Sequence, residues 1–477
     1  MPSHRKPNIL ILLSDQMRPF ELGCYGHKVV STPNIDRLAA MGVRFEHAVT
    51  NNPVCSPARA ALISGQYART CTGILGCCAE PVNERRWFPA MTLPEALRCA
   101  GYRTILTGKW HMEPRPEFVG FERAYYPLVC HRNRMQIFFD EQRRAEQVDE
   151  FAPDHEVRRS CEFIRAGHDR PWFLFHNLSL PHMPYYDVPE KWRARYAPED
   201  LQLRPNVWRN GRIWHDEEAL KIYLFDHLCT KLDLAPFLRL PEGYDIRRLY
   251  AEYCGLISCV DDQVGRLLAA LEDSGQLADT IIVFTSDHGE NMGSHHLWNK
   301  ISVNDEALRI PFIVTWPRVL APRVIKDQVA SLVDVAPTLL GMTGEEVPSA
   351  MQGADLSGIM AGRNERVRNG AAFAENLHGE LAIRTPSHLY AVMSRTAPKG
   401  PEREITDDCF IFNDLQADPY QMTNLAERGD QNELGCRLRE EVLAWDRQTP
   451  WLAGSRGGVY GQGPQHDPPP RSNRAFG

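Results

Sequence analysis

The chain has 477 residues, 43% of them hydrophobic, which is enough for a large core and for two or three domains. A formal net charge of −7 and a pI near 6.2 argue against a nucleic-acid-binding protein as such, although a local basic groove remains compatible with them. No apolar run approaches the ~20 residues needed to cross a bilayer. Thirteen cysteines without regular spacing argue against a disulfide framework, so the expected compartment is a reducing cytoplasm.

The basic start, Met1–Lys6, leads into the short apolar run Ile9–Leu13. Asp15 follows at once with no small-residue cleavage site, so the run reads as a first buried strand and not as a signal peptide. Asn8–Ser14 carries a continuous apolar run, as in a strand covered on both faces of a parallel sheet. Thr32-Pro33-Asn34 opens a helix that Gly42 closes. Around Cys55, Ser56 is a predicted cap, Pro57 suits the first helical position and Gly65 is the stop. This places Cys55 just outside a helix N-terminus, where free amides favour an anion, with Arg59 one turn in. A buried structural cysteine beside a cap is the competing reading for Cys55 taken alone.

Thr92 and Glu95 form a capping box for a helix ending near Gly101, and Tyr102–Leu106 is the next strand. The polar, Arg-rich stretch from Glu113 to Arg170 carries no clear period. Pro171–Leu180 is a strand ending in Pro181-His182-Met183-Pro184. The excursion from Tyr185 to Tyr250 is rich in Trp, Arg, Tyr and Pro, and is expected to shape a pocket. Ala251–Ser274 has helical apolar spacing, Thr280–Thr285 is a β-branched strand and Pro311–Trp316 is one more strand.

Strands alternating with helices predict an α/β fold: a doubly wound, mostly parallel sheet flanked by helices. Beyond Gly362, the short strands Ala371–Glu375, His388–Met393 and Cys409–Asn413 and a helix near Gln431–Gln448 predict a smaller α+β subdomain. The expected units are residues 1–362, 363–453 and a Gly/Pro/Arg-rich tail, 454–477, with the composition of a disordered segment.

Ligands of open α/β sheets gather at the carboxyl ends of strands. Four predicted ends carry polar groups: Asp15 and Gln16, Lys109 and His111, His182, then Asp287 and His288, with Lys300 shortly after. In a parallel sheet all of these share one rim with Cys55 and Arg59. Asp15, Gln16, Asp287 and His288 supply three oxygen groups and one imidazole, a set suited to Ca²⁺ or Mg²⁺, with Mn²⁺ also compatible, and leave a position for Cys55. Taken singly, Asp15 reads equally as a helix cap, Asp287-His288-Gly289 as a turn, Lys109 as a surface lysine and His182 as a structural histidine.

Cys55-x-Pro57-x-Arg59 resembles the signature of the type I sulfatases, the formylglycine-dependent family of the alkaline-phosphatase-like superfamily. Thr107-Gly108-Lys109-Trp110-His111, Pro181-His182 and Asp287-His288 are similar to the family's other motifs, and the closing segment Asp414–Pro419 with Asn424-Leu425-Ala426 resembles its end, so the resemblance runs roughly from Pro7 to Ala426. It implies that Cys55 is converted to formylglycine, acting as its hydrate, by a formylglycine-generating enzyme. It further implies a metal held by Asp15, Gln16, Cys55, Asp287 and His288, with Ca²⁺ first. Arg59, Lys109 and Lys300 would hold the sulfate oxygens, His182 or Lys300 would protonate the leaving alcohol, and His111 would help deprotonate the second hydroxyl. Gln16 departs from the commonest pattern, an aspartate, and makes the metal site one unit less negative. Asp-Gln also occurs in choline sulfatases and phosphonate monoester hydrolases.

The expectation is therefore a sulfuric ester hydrolase acting on a saccharide or other small organic sulfate. A phosphonate monoester or phosphodiester hydrolase, and a silent binder of sulfated ligands with a free Cys55 thiol, are the alternatives. Trp192, Trp208, Arg209 and Trp214 are candidates for a sugar-binding surface, and ordinary packing accounts for them equally well. The Asn177-Leu178-Ser179 sequon falls in a predicted buried strand and is discounted. The oligomeric state is left open, a homo-oligomer included.

Overall fold

The computed structural model describes residues 6–77, 88–209, 212–213, 243–363, 366–394, 405–426 and 433–453. In chain order the strands and longer helices begin with β1 (Asn8–Asp15), α1 (Pro33–Met41), β2 (Val43–Val49), α2 (Cys55–Ser64), α3 (Leu93–Cys99) and β3 (Arg103–Gly108). Next come β4 (Arg123–Pro127), β5 (Gln136–Asp140), β6 (Ala145–Val148), α4 (Ala152–Arg165) and β7 (Trp172–Pro181). A two-residue hairpin, β8 (Trp208–Arg209) and β9 (Arg212–Ile213), precedes α5 (Ile246–Asp273), β10 (Thr280–Ser286), β11 (Phe312–Thr315), β12 (Arg323–Ser331) and α6 (Val335–Thr343). The chain closes with β13 (Ala372–Glu375), β14 (Glu380–Arg384), β15 (His388–Ser394), β16 (Ile405–Asp414) and α7 (Glu433–Gln448).

Ten strands form one sheet in the order β12-β2-β11-β10-β1-β7-β3-β4-β5-β6. β1 lies at its middle, parallel to both β10 and β7. Its side chains alternate between two cores. Leu10 and Leu12 pack with α1, α4 and α5 on one face, while Ile9, Ile11 and Leu13 pack with α2, α3 and α6 on the other. All five are fully buried, each contributing roughly 1.5–3 kcal/mol. That two-faced burial is why the run reads as continuously apolar. α5 is capped by Asp245, whose Oδ1 accepts from the Arg247 and Arg248 amides at 3.0 and 3.1 Å.

The doubly wound, mostly parallel prediction holds, and β13–β16 form the separate antiparallel sheet with α7 packed on β14 and β15. Some local expectations change. β11 runs antiparallel to both β10 and β2, and β5 runs antiparallel to β4. The stretch Glu113–Arg170 supplies β4, β5, β6 and α4, and β2, β12 and β14 also lie outside the predicted strands. β2 alternates buried and half-buried residues, so it lacks the unbroken apolar run that marks β1. α2 begins at Cys55, with extended Val54 as its cap residue and no side-chain cap, so Cys55 sits in the first turn and Ser56 is not the cap. Trp192 is buried in the core, its main-chain oxygen so close to Gly255 of α5 that a Cβ there would lie 1.9 Å from it. Trp192 is therefore packing. Trp208 is 38% exposed, while Trp214, the Arg209 side chain and the predicted tail lie outside what is described. Asn177 is fully buried in β7, which excludes a glycan there.

Candidate active site

Five parallel strands, β1, β2, β3, β7 and β10, end at one rim, and each is followed by a polar residue of the site. β1 ends in Asp15, and Gln16 takes φ +66° to turn off the sheet. β2 leads through buried Asn51 and Asn52 to Cys55. β3 ends at Gly108 (φ +90°), where a Cβ would lie 2.0 Å from the Asn177 oxygen, so only glycine lets the chain swing Lys109 inward. β7 delivers His182 and β10 delivers Asp287 and His288. Lys300 arrives on an irregular loop, flanked by Asn299 at φ +63° and Ile301 at φ +87°. Positive φ at a β-branched residue stores strain of roughly 1–3 kcal/mol, held by the surrounding structure.

Cys55 Sγ is the centre. Lys300 Nζ donates to it at 2.9 Å, His288 Nε2 lies 3.2 Å away and Asp15 Oδ1 3.8 Å away. Asp15 is ion-paired with Lys109. Arg59 Nε and Nη2 both reach Asp287 Oδ2 at 2.9 Å, and Arg59 Nη1 donates to the Lys109 carbonyl at 3.0 Å. Arg59, Lys109, Asp15, Asp287 and His288 are fully buried, so these charges interact in a weakly screened setting. Burial works against ionisation of the Cys55 thiol. The Cys77 hydrogen bond, Lys109, Lys300 and His288 outweigh it and hold the thiol well below its ordinary range. Burial lowers Lys300 but Cys55 and its neighbours raise it further, so it stays charged.

The histidines divide into two kinds. Burial pushes His288 down, and the Asp287 carboxylate reverses this and raises it. Its Nδ1 donates to the Gly289 carbonyl at 2.8 Å, which leaves Nε2 facing Cys55. Burial, then Lys109, lowers His111 to about 4, and burial, then Lys300, lowers His182 well below its usual value, so both are neutral at pH 7. His182 donates Nδ1 to the Met183 carbonyl at 2.5 Å, so its Nε2 is the acceptor facing Lys300 Nζ at 3.1 Å.

Asp15, Cys55, Asp287 and His288 offer ligand atoms all within 4.8 Å of one another. The Gln16 amide nitrogen is tied to Glu290 and, at 3.3 Å, to Asn299, while its buried Oε1 has no hydrogen-bond partner. An orphaned carbonyl oxygen beside two carboxylates and an imidazole fits a hard divalent cation.

Every residue predicted for the site is brought to this rim. Sequence reasoning missed His131, Glu290, Asn299 and Cys77. Glu290 sits in the same strand-end loop as Asp287, which is a usable signal. His131 comes from the β4–β5 turn, where no motif marks it.

The sulfatase family model matches residues 7–345. The chain belongs to the sulfatase family. A second model, N-sulphoglucosamine sulphohydrolase, C-terminal, matches residues 293–448 of this sulfatase. The ulvan-active sulfatase of Formosa agariphila is 30% identical over 464 residues, covering 92% of this chain and 81% of that one. The N-acetylglucosamine-6-O-sulfatase of Bacteroides thetaiotaomicron is 25% identical, covering 94% and 88%. Among solved structures, the phosphonate monoester hydrolase of Agrobacterium radiobacter superposes with a TM-score of 0.68 at 25% identity, covering 93% of this sulfatase and 96% of that chain. The family is one of sulfuric ester hydrolases, within the alkaline-phosphatase-like superfamily. No described helix of this sulfatase is long and apolar enough to cross a membrane.

Proposed function

We propose that this sulfatase matures by conversion of Cys55 to formylglycine and then hydrolyses a sulfate ester of a saccharide or other small alcohol. The observation that carries the reading is Cys55 Sγ at 2.9 Å from Lys300 Nζ and 3.2 Å from His288 Nε2, inside a buried cluster of opposed charges. Formylglycine would supply the hydroxyl that attacks sulfur. One divalent cation, Ca²⁺ first and Mg²⁺ or Mn²⁺ as alternatives, would be held by Asp15, Gln16, Asp287, His288 and residue 55. It would lower the pKa of that hydroxyl.

The chain's own groups supply the rest. Arg59, oriented by Asp287 and the Lys109 carbonyl, joins Lys109 and Lys300 in holding sulfate oxygens and stabilising charge that develops on them. His182 already accepts at Nε2, which favours Lys300 as the proton donor to the departing oxygen, with His182 fixing its direction. Neutral His111 has a buried Nδ1 without a hydrogen-bond partner and is in the protonation state to accept a proton. The same reading assigns 1–362 to a catalytic unit and 363–453 to a supporting one, in a cytoplasmic protein.

A phosphonate monoester hydrolase is the second reading, favoured by Asp15-Gln16 and by the structural similarity above. The test has two parts. The tryptic peptide Phe45–Arg59, from protein made with a formylglycine-generating enzyme, should lose the thiol sulfur and gain an oxygen. The converted protein should release sulfate from an aryl sulfate faster than it cleaves an aryl phosphonate ester. An intact thiol, or a preference for the phosphonate, contradicts the proposal.

A further inference from the structure

Lys300 is held from two sides by different parts of the molecule. On its amino side the strand-end loops of the large sheet supply the anchors. Asn299 Oδ1 accepts from Gln16 Nε2 at 3.3 Å, and the Asn299 carbonyl accepts from the Asn291 amide at 2.7 Å. On its carboxyl side the anchor comes from the small antiparallel sheet. Asn376, in the turn that joins β13 to β14, is fully buried, and its Nδ2 donates to the carbonyl of Ile301, the residue next to Lys300. Ile301 is the β-branched residue at φ +87°. Backbone in that region persists only where its surroundings over-determine it.

The Asn376 amide is satisfied one way round. Its Nδ2 also donates to the Glu380 carboxyl group, and its Oδ1 accepts from the His378 and Glu380 amides at 3.0 and 3.2 Å. A flipped amide would set Oδ1 against a carbonyl and a carboxyl oxygen, and its N–H groups against two other N–H groups. The same turn supports the approach to Cys55. The Glu375 amide donates to the Asn51 carbonyl at 3.0 Å, and Leu377 shares one apolar cluster with Ile301 and with Val54, the residue before α2. One turn of the smaller sheet therefore touches both chain segments whose side chains meet at Cys55 Sγ.

We propose that Asn376 is a positioning residue for Lys300: through the Ile301 carbonyl it holds the strained turn that aims the ammonium at Cys55. The smaller sheet then takes part in building the active site and is not only a support for the fold. Attachment of that sheet does not hang on Asn376, because Arg384 Nε and Nη2 each reach Asp305 at 3.0 Å and Arg69 Nη2 lies 2.7 Å from Glu375. The anchoring stands apart from the chemistry. Its consequence for turnover rests on the sulfatase reading, with Lys300 as the proton donor.

Full-length Asn376→Asp, which keeps the shape and replaces the donor by a carboxylate, is compared with wild type. Asn376→Ser, smaller and uncharged, carries the comparison if the aspartate variant does not fold. Hydrogen exchange read by mass spectrometry should show the loop amides of residues 291–303 exchanging at least ~10-fold faster, about 1.4 kcal/mol, with β1 unchanged. In converted protein, kcat for an alkyl sulfate should fall at least ~10-fold further than kcat for a nitrophenyl sulfate, whose leaving group needs no proton. In a Lys300→Met background the same substitution should change alkyl sulfate turnover by less than about twofold, because it acts only through that lysine. Unchanged loop exchange, equal losses on the two esters, or full additivity with Lys300→Met overturns the proposal. The two readings fail separately. A converted wild type that releases no sulfate removes the sulfatase reading, and loop exchange still decides the anchor. An active wild type whose loop exchange is indifferent to Asn376 removes the anchor alone.

Discussion

Lys300 Nζ donates to Cys55 Sγ at 2.9 Å across a separation of 245 residues. The same ammonium lies 3.1 Å from His182 Nε2, so one cation bridges Cys55 and His182. Lys300→Met should lower kcat by ~10²–10⁴-fold for an alkyl sulfate and much less for a nitrophenyl sulfate, whose leaving group needs no proton. A leaving-group series on wild type and variant checks this. Equal losses along the series would remove Lys300 from the donor role.

Chelation should abolish turnover and lower the melting temperature without unfolding the chain. Asp15 and Asp287 keep Lys109 and Arg59 as partners when no cation is bound, so the cluster is not left as bare carboxylates. Returning Ca²⁺ at ~100 times its Kd should restore about 2.7 kcal/mol of stability. Calorimetric melting with chelator and then with added Ca²⁺, Mg²⁺ or Mn²⁺ measures this and ranks the metals. A melting temperature indifferent to all three contradicts a bound cation.

Glu156 on α4 is 3% exposed, and burial raises its carboxyl from the ordinary 4.5 to about 8. The folded state therefore holds this proton more tightly than the unfolded chain. Its contribution is most favourable below pH 4.5 and is lost as pH rises towards 8. Glu156→Gln keeps the shape and has no proton to lose. Its stability advantage over wild type should be near zero at pH 4.5 and grow to roughly 2–3 kcal/mol by pH 7. Urea melts of both proteins at pH 5, 7 and 9 test the slope, and a constant difference would show that Glu156 is not the titrating group.

Arg69, on the short helix Ala68–Cys71 after α2, ties that helix to the small sheet and to α7. Its Nε lies 2.9 Å from both Glu375 oxygens on β13, its Nη1 lies 2.5 Å from Asp446 on α7, and its guanidinium sits 4.7 Å from the Trp445 ring centroid. Arg69→Met should cost ~3–5 kcal/mol, because the buried Glu375 carboxylate would lose its guanidinium. Adding Glu375→Gln should return part of that loss. Additive losses in this double-mutant cycle would show that the pair is not coupled.

Much of this site was legible before any coordinates. Asp15, Lys109, His182 and Asp287 each end a strand whose apolar run is visible in the chain, and parallel strands must end on one side. Cys55 and Arg59 are one helical turn apart, so their proximity is local. Lys300 was placed only by resemblance, since its position depends on consecutive backbone turns at Asn299 and Ile301 that residue type does not encode. His131 was illegible because β4 and β5 are only five residues each, and its stacking is with a loop some fifty residues on. β2 was missed for a related reason. Its alternating burial at the junction with antiparallel β11 gives no continuous apolar signal, although it is the strand that delivers Cys55.

The sequence by itself determined the layered α/β architecture, the family, and the residue types able to hold a sulfate and a cation. Apolar periodicity, glycine positions and short motifs are local properties that each segment carries independently of its neighbours. Only the tertiary structure decided which lysine touches Cys55, which way His182 presents its acceptor, that Gln16 keeps a free buried oxygen, and that His131 stacks on His182. Those are contacts between segments far apart in the chain. Their geometry depends on strand order, loop conformation and the sum of packing around them, and no single segment contains that information.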